Sequence, residues 1–145
     1  MRCSTRRSPG ARAWSCRRSS SSSPIRRSSS STKGGAARGD AGFVAEEDGR
    51  PVGAVWWRFF TDDEHGEGYI DADTPELAIA VVDGYRGRGI GRTLMEAMHE
   101  HGRQLGLRRV SLSVDPDNPA KRLYVSLGYV EYEPGDENDR MILEL

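Results

Sequence analysis

The ten residues Val82-Asp83-Gly84-Tyr85-Arg86-Gly87-Arg88-Gly89-Ile90-Gly91 hold the densest chemical signal in this 145-residue sequence. They lie between a short apolar run and a stretch of helical spacing, so they read as a turn feeding a helix. At such a point unpaired backbone N–H groups and the positive end of the helix dipole face outward together, which makes an anion site. Glycines let a phosphate approach the main chain without obstruction, and Arg86 and Arg88 add positive charge. The plainer reading, a strand-to-helix turn with solvated arginines, stands beside it. Spacing removes two phosphate-binding patterns. A P-loop requires GxxxxGK[ST], but no Lys follows Gly89 or Gly91. A dinucleotide fingerprint requires GxGxxG, whereas this turn runs Gly87-x-Gly89-x-Gly91.

Other reactive side chains give weaker patterns. His65, His99 and His101 form no ligand set, and His99 and His101 are two apart on a helix and so face apart; no metal is expected. Residues 61–75 carry Asp62, Asp63, Glu64, Glu67, Asp71 and Asp73 with no Lys or Arg. Such a loop is either solvated surface or a wall that favours a cationic ligand.

The elements that must position the turn follow from periodicity. Apolar runs at Phe43-Val44-Ala45 and from Val52 to Phe59, joined through Asp48-Gly49, predict an antiparallel hairpin. Residues 77–82 predict a buried strand. Ile90, Leu94, Ala97, Met98, His101 and Leu105 recur at helical spacing, with Gly106 at the C-terminal cap. Val110, Leu112 and Val114 alternate as a strand, and Asn118 before Pro119 reads as an N-cap opening a second helix with Ala120, Leu123, Tyr124 and Leu127 inward. Residues 129–133 and 141–145 close the chain as two strands. The order from residue 42 is three strands, helix, strand, helix, two strands, a mixed α/β layer fold.

Arg86-x-x-Gly89-x-Gly91 is similar to the R/Q-x-x-G-x-G/A pyrophosphate loop of the GCN5-related N-acetyltransferase (GNAT) superfamily. The preceding Pro75-Glu76-Leu77-Ala78-Ile79-Ala80-Val81-Val82 resembles that family's strand before the loop. Asn118-Pro119-Ala120-Lys121-Arg122-Leu123-Tyr124-Val125-Ser126-Leu127-Gly128-Tyr129 resembles its N-x-A-x-x-L-Y-x-x-x-G-F/Y segment. The resemblance covers about residues 42–145 and omits the family's first strand and first two helices. It implies a mixed, mostly antiparallel sheet flanked by helices, and an enzyme moving an acetyl group from acetyl-CoA directly to a primary amine of a small molecule or protein, without metal.

On that resemblance, the N–H groups around Arg88, Gly89, Ile90 and Gly91, with Arg86 and Gly87 in the same loop, hold the pyrophosphate. Ile79, Ala80, Val81 and Val82 pair with the pantetheine arm. Tyr124 protonates the departing thiolate, or is a core tyrosine; a phenol of pKa about 10 suits the acid role. Glu76 removes the acceptor's proton directly or through water, or is an exposed strand-end carboxylate. Asn118 binds the coenzyme or caps its helix. Dimers are common among proteins of this kind.

Composition divides the chain. Residues 1–40 hold twelve Ser, ten Lys/Arg and one acid, Asp40, which leaves a net charge of −10 on residues 41–145. An Arg/Ser-rich segment buries too little apolar surface to offset its ordering entropy, so 1–40 is expected to be disordered and 41–145 to be the acetyltransferase domain. The acidic body argues against nucleic-acid binding, no apolar run is long enough to span a membrane, and both cysteines, Cys3 and Cys16, lie in the tail, which fits a cytoplasmic setting. Two other functions remain open on sequence: a non-catalytic acyl-CoA-binding module with an incomplete acceptor site, and an RNA-associated protein using its basic tail. Nineteen Arg against two Lys indicates a G+C-rich gene. The abrupt change at Asp40 therefore leads to the expectation that another reading frame upstream encodes the missing strand and helices.

Overall fold

The computed structural model describes residues 2–8, 11–17, 40–133 and 137–145. Asp48 and Gly49 take φ of 50° and 79°, the pair of left-handed residues that a tight antiparallel turn requires. They join β3 (Ala41–Glu47) to β4 (Arg50–Arg58). β5 (Glu76–Val81) pairs antiparallel with β4, so that Ala41, Trp57 and Leu77 form one cross-strand row, Phe43, Val55 and Ile79 a second, and Ala45, Gly53 and Val81 a third. These rows share one face because side chains alternate along a strand.

Helix α1 (Ile90–Gln104) lies across that face. Ile90, Leu94, Met95 and Met98 are at most 1% exposed, and Trp57 is equally enclosed; burying a side chain of this size stabilises the fold by about 1.5–3 kcal/mol. A Cβ on Gly53 would meet Leu94 Cδ1 at 3.1 Å and Ile90 Cγ2 at 3.2 Å, so the missing side chain sets how closely α1 approaches the sheet. The helix ends as expected at Gly106. The Gly106 N–H donates to the Arg103 carbonyl and the Leu107 N–H to the Gly102 carbonyl, both at 3.0 Å, with Gly106 at φ 75°. Leu105, expected on the inner face, is 53% exposed because it falls in this terminal turn. Met95 and His99 are buried instead, since α1 is covered on more than its sheet-facing side.

Beyond α1 come β6 (Arg109–Val114), α2 (Ala120–Ser126), β7 (Val130–Glu133) and β8 (Asp139–Glu144). With β1 (Arg2–Ser8) and β2 (Ala11–Arg17) the strands form one sheet in the order β2-β1-β3-β4-β5-β6-β8-β7. Only β1–β3 and β5–β6 are parallel among its pairs. The mixed, mostly antiparallel sheet with flanking helices is the architecture expected from the sequence.

Residues 2–8 and 11–17 depart from the expected disorder of 1–40. Their backbones form an antiparallel pair, and β1 lies against β3 from Arg2↔Val44 to Ser4↔Glu46. Composition speaks to side-chain burial, whereas this pairing satisfies main-chain groups along an otherwise open strand edge. The rest of 1–39 lies outside the described residues. Among the described residues no helix is long and apolar enough to cross a membrane.

Candidate active site

The glycine-rich turn delivers an open helix end. Gly89 sits at φ 82° as the residue before α1, with no side-chain cap and no acidic residue in the first turn. Its carbonyl accepts the Thr93 N–H at 3.0 Å, the first bond of the helix, which leaves the N–H groups of Ile90, Gly91 and Arg92 without helical acceptors. A Cβ at Gly89 would meet nothing within 4 Å, so the space above the turn is clear. Arg86 pairs with Asp83 at 3.3 Å, and Arg88 pairs with Glu47 at 3.5 Å while stacking over Tyr85 at 4.8 Å. Such exposed pairs are worth at most about 1 kcal/mol, so both guanidiniums remain available to an anion. Gly91 differs from the other loop glycines. A Cβ there would lie 3.3 Å from Leu123 Cδ2 and 3.9 Å from Ile79 Cδ1 and Val81 Cγ2, so it marks the junction of α1, α2 and β5.

Beside this helix end the sheet opens. β5 and β6 share a single paired position, Glu76↔Ser111, where the Ser111 N–H donates to the Pro75 carbonyl at 3.0 Å. Main-chain groups alternate sides along a strand. The Val82 N–H donates to Val52 of β4 at 2.9 Å, so Ala80 and Val82 turn toward β4, and Ile79 and Val81 present their N–H and C=O to the gap. Of the four strand residues singled out in the sequence, these two carry the free polar edge.

Glu76 stands where the gap begins. Its Oε1 accepts the Gly68 N–H at 3.0 Å, and its Oε2 is buried without a partner among the described residues. Burial pushes its pKa up, and Glu67 nearby adds to this, against the opposing Gly68 hydrogen bond. It is therefore not the exposed strand-end carboxylate that was one of its two sequence readings. The acidic loop folds over it so closely that a Cβ on Gly66 or Gly68 would come within 2.5 or 2.8 Å of the carboxylate. Arg109 holds Asp71 and Arg140 donates to the Glu67 carbonyl at 2.8 Å, which ties the loop to the body, and Tyr69 donates to Asp62 at 2.5 Å within the loop. Asp63, Glu64 and Asp73 remain exposed. The importance of Gly66 and Gly68 escaped sequence reasoning, because a close approach to a residue eight or ten positions on leaves no periodic signal.

On the other side, the Asn118 side chain accepts the Ala120 N–H at 2.9 Å, the expected capping bond. Tyr124 is 7% exposed, and its hydroxyl forms no hydrogen bond to any described residue. Burial raises its pKa. Its ring packs on Tyr129 at 5.9 Å between centroids, and the Tyr129 hydroxyl shares a 2.9 Å hydrogen bond with His99 Nε2. Burial and the nearby Arg103 hold His99 down at about 4, so its ring is neutral. The sequence assigned His99 nothing; its position four residues after Met95 on a buried stripe was the available signal. His101 instead stacks on Trp57 at 5.6 Å as part of the core. No three His, Cys, Asp or Glu side chains among the described residues gather as a metal group.

The acetyltransferase (GNAT) family model matches residues 12–129. The chain belongs to the GNAT acetyltransferase family. It is 40% identical over 91 residues to mycothiol acetyltransferase of Thermomonospora curvata, covering 62% of this chain but 28% of that relative's length. A ribosomal-protein-alanine N-acetyltransferase from Brucella melitensis superposes with a TM-score of 0.60 at 28% identity, over 74% of this chain and 70% of the other. An N-acetyltransferase from Thermoplasma acidophilum, solved in complex with coenzyme A, superposes with a TM-score of 0.61 over 73% of this chain and 61% of the other; at 18% identity the likeness is one of fold.

Proposed function

We propose that this chain is an N-acetyltransferase that passes the acetyl group of acetyl-CoA directly to a primary amine. The observation that carries the reading is the convergence of two unsatisfied backbone features, the uncapped N-terminus of α1 and the free edge of β5. An anion and an amide-bearing chain are what these features suit. In this reading the N–H groups of Ile90, Gly91 and Arg92, with Arg86 and Arg88, take the pyrophosphate. The loop glycines Gly87 and Gly89 give it room, and Ile79 and Val81 pair with the pantetheine amides. Asn118 fixes the start of α2 and thereby Tyr124. The thioester supplies the activated acetyl group.

Glu76 then accepts a proton from the acceptor's ammonium, directly or through water, which frees the nitrogen lone pair. As the new C–N bond forms and the C–S bond breaks, Tyr124 gives its proton to the sulfur, and the second proton that the nitrogen sheds on becoming an amide passes through water to the Tyr124 phenolate. A raised Glu76 pKa makes the carboxylate a better base than an ordinary one. The exposed acids of the 61–75 loop favour a cationic acceptor. Acetyl-CoA is to be mixed with alkylamines, a polyamine, an aminoglycoside, a peptide amine and a mycothiol-related amine, and release of free coenzyme A followed by chromatography. Release that depends on one of the amines is expected. Coenzyme binding with no release across the panel would replace the enzyme by a non-catalytic acyl-CoA-binding module.

Glu76 offers a test that couples stability to activity. A carboxyl whose pKa is raised by folding favours the fold below its unfolded pKa, and that contribution is lost as pH rises through the higher folded value. At neutral pH the ionised Glu76 is therefore a burden on the fold. Glu76→Gln keeps an acceptor for Gly68 N–H without the charge, so it is expected to raise the melting temperature at pH 7 while lowering turnover. The wild-type activity should rise with pH along a limb above the usual carboxylate range, and the variant should lose that limb. A variant with full turnover would remove Glu76 from the mechanism.

A further inference from the structure

The buried pair His99 and Tyr129 has no part in the chemistry just described, yet it lies directly behind the proposed proton donor. His99 is 3% exposed and Tyr129 2% exposed. Their side chains share one hydrogen bond of 2.9 Å, with ring centroids 5.6 Å apart and planes at 49°. Tyr129 is in turn a wall against Tyr124, at 5.9 Å and 58°. The Tyr129 N–H also donates to the Tyr124 carbonyl at 3.1 Å, so side chain and backbone of the two tyrosines are both linked. A Phe and an aliphatic residue would fill this volume without any polar group to satisfy. A buried hydroxyl and imidazole add little net stability when paired. What the pair adds over apolar packing is direction, because a hydrogen bond fixes the long axis of the Tyr129 ring, whereas apolar contacts are non-directional.

We propose that His99 and Tyr129 are positioning residues: His99, acting through the Tyr129 hydroxyl, holds the ring against which Tyr124 is oriented for proton donation. The inference rests on the reading of Tyr124 as the donor. His99 stands on α1, the helix whose other end faces the coenzyme site, so the pair ties donor and anion site to one rigid element. The Tyr124 hydroxyl makes no hydrogen bond of its own to described residues, and its aim therefore depends on how its ring is packed.

The test uses Tyr129→Phe, which removes one oxygen and keeps the ring, His99→Leu, and His99→Gln as the conservative replacement that still reaches a hydrogen bond. In protein carrying isotope-labelled tyrosine, the flip rate of the Tyr124 ring is measured by NMR without any ligand. It should rise by about tenfold or more in Tyr129→Phe and His99→Leu, and return toward wild type in His99→Gln. With acetyl-CoA and the best amine of the panel, turnover should fall about tenfold in the first two, with the KM for acetyl-CoA unchanged, since small misplacement is enough to slow a positioned group. In a Tyr124→Phe background, adding Tyr129→Phe should slow turnover no further. Unchanged ring dynamics, or the same fold-loss with and without the Tyr124 hydroxyl, would overturn the positioning role while leaving the donor in place. If Tyr124→Phe alone keeps full turnover, the donor assignment fails and this inference with it. Should His99→Leu not fold, Tyr129→Phe and His99→Gln still decide the matter.

Discussion

Replacing Gly89 with aspartate is expected to abolish measurable coenzyme A binding while leaving the fold intact. The position is clear of neighbours, since a Cβ there meets nothing within 4 Å. The local penalty is the left-handed φ of 82°, about 1–2 kcal/mol for a residue with a Cβ and less for Asp, which tolerates this region. The electrostatic penalty falls on the ligand. A carboxylate about 4 Å from a phosphate charge costs about 4 kcal/mol at an effective dielectric of 20, or about a thousandfold in affinity. Gly89→Ala carries the backbone strain without the charge and should bind coenzyme A with only a modest loss. Calorimetric titration of both variants separates the two terms, with circular dichroism to confirm folding. Equal affinities for Gly89→Asp and wild type would remove the pyrophosphate from the end of α1. Gly91→Asp is a poorer probe, because its side chain would also press on Leu123 at the α1–α2 junction.

The place of Gly89 in a turn before α1 was legible in the sequence, and the reason is local. A strand, a glycine-bearing turn and a helix start are each defined by residues adjacent in the chain, so their pattern survives without knowledge of the fold. The same holds for the Asp48-Gly49 turn, the Gly106 cap and the Asn118 cap, whose partners lie within a few residues. What sequence left open depends on distant pairings. The gap between β5 and β6 exists because they pair only at Glu76↔Ser111, and no feature of either strand alone announces that divergence. The partition of Ile79 and Val81 from Ala80 and Val82 follows from which side β4 occupies. The environment of Glu76 is made by a loop eight to ten residues earlier, and His99 meets Tyr129 across thirty positions. A helix buried on one face predicts Leu94 and Met98, whereas a helix also covered from the side recruits Met95 and His99. The strands at 2–8 and 11–17 were hidden for a different reason: main-chain pairing along a strand edge has little composition signature.

Tyr124→Phe is expected to lower turnover by about 10² to 10⁴-fold, the usual contribution of a general acid or base. The substitution takes away one oxygen that has no hydrogen-bond partner among the described residues, and it keeps the ring packed on Tyr129. Removing a hydroxyl with no protein partner strands nothing, so the melting temperature should hardly move. Affinity for acetyl-CoA should also persist, because the proposed reading draws the pyrophosphate and pantetheine contacts from α1 and β5. The pH dependence sharpens the test. Burial raises the Tyr124 pKa above the ordinary phenol value of 10.0, so the proton needed by the sulfur is retained through neutral and mildly alkaline conditions. By linkage, the protonated side chain favours the fold below the unfolded pKa, and that contribution disappears only as pH rises through the higher folded value. The wild type should therefore keep its rate past neutrality and fall on an alkaline limb above 10, and Tyr124→Phe should be slow at every pH with that limb gone. Solvent water is the competing proton source. If Tyr124→Phe retains the wild-type rate and the same alkaline limb, water protonates the sulfur and Tyr124 is a packing residue of α2.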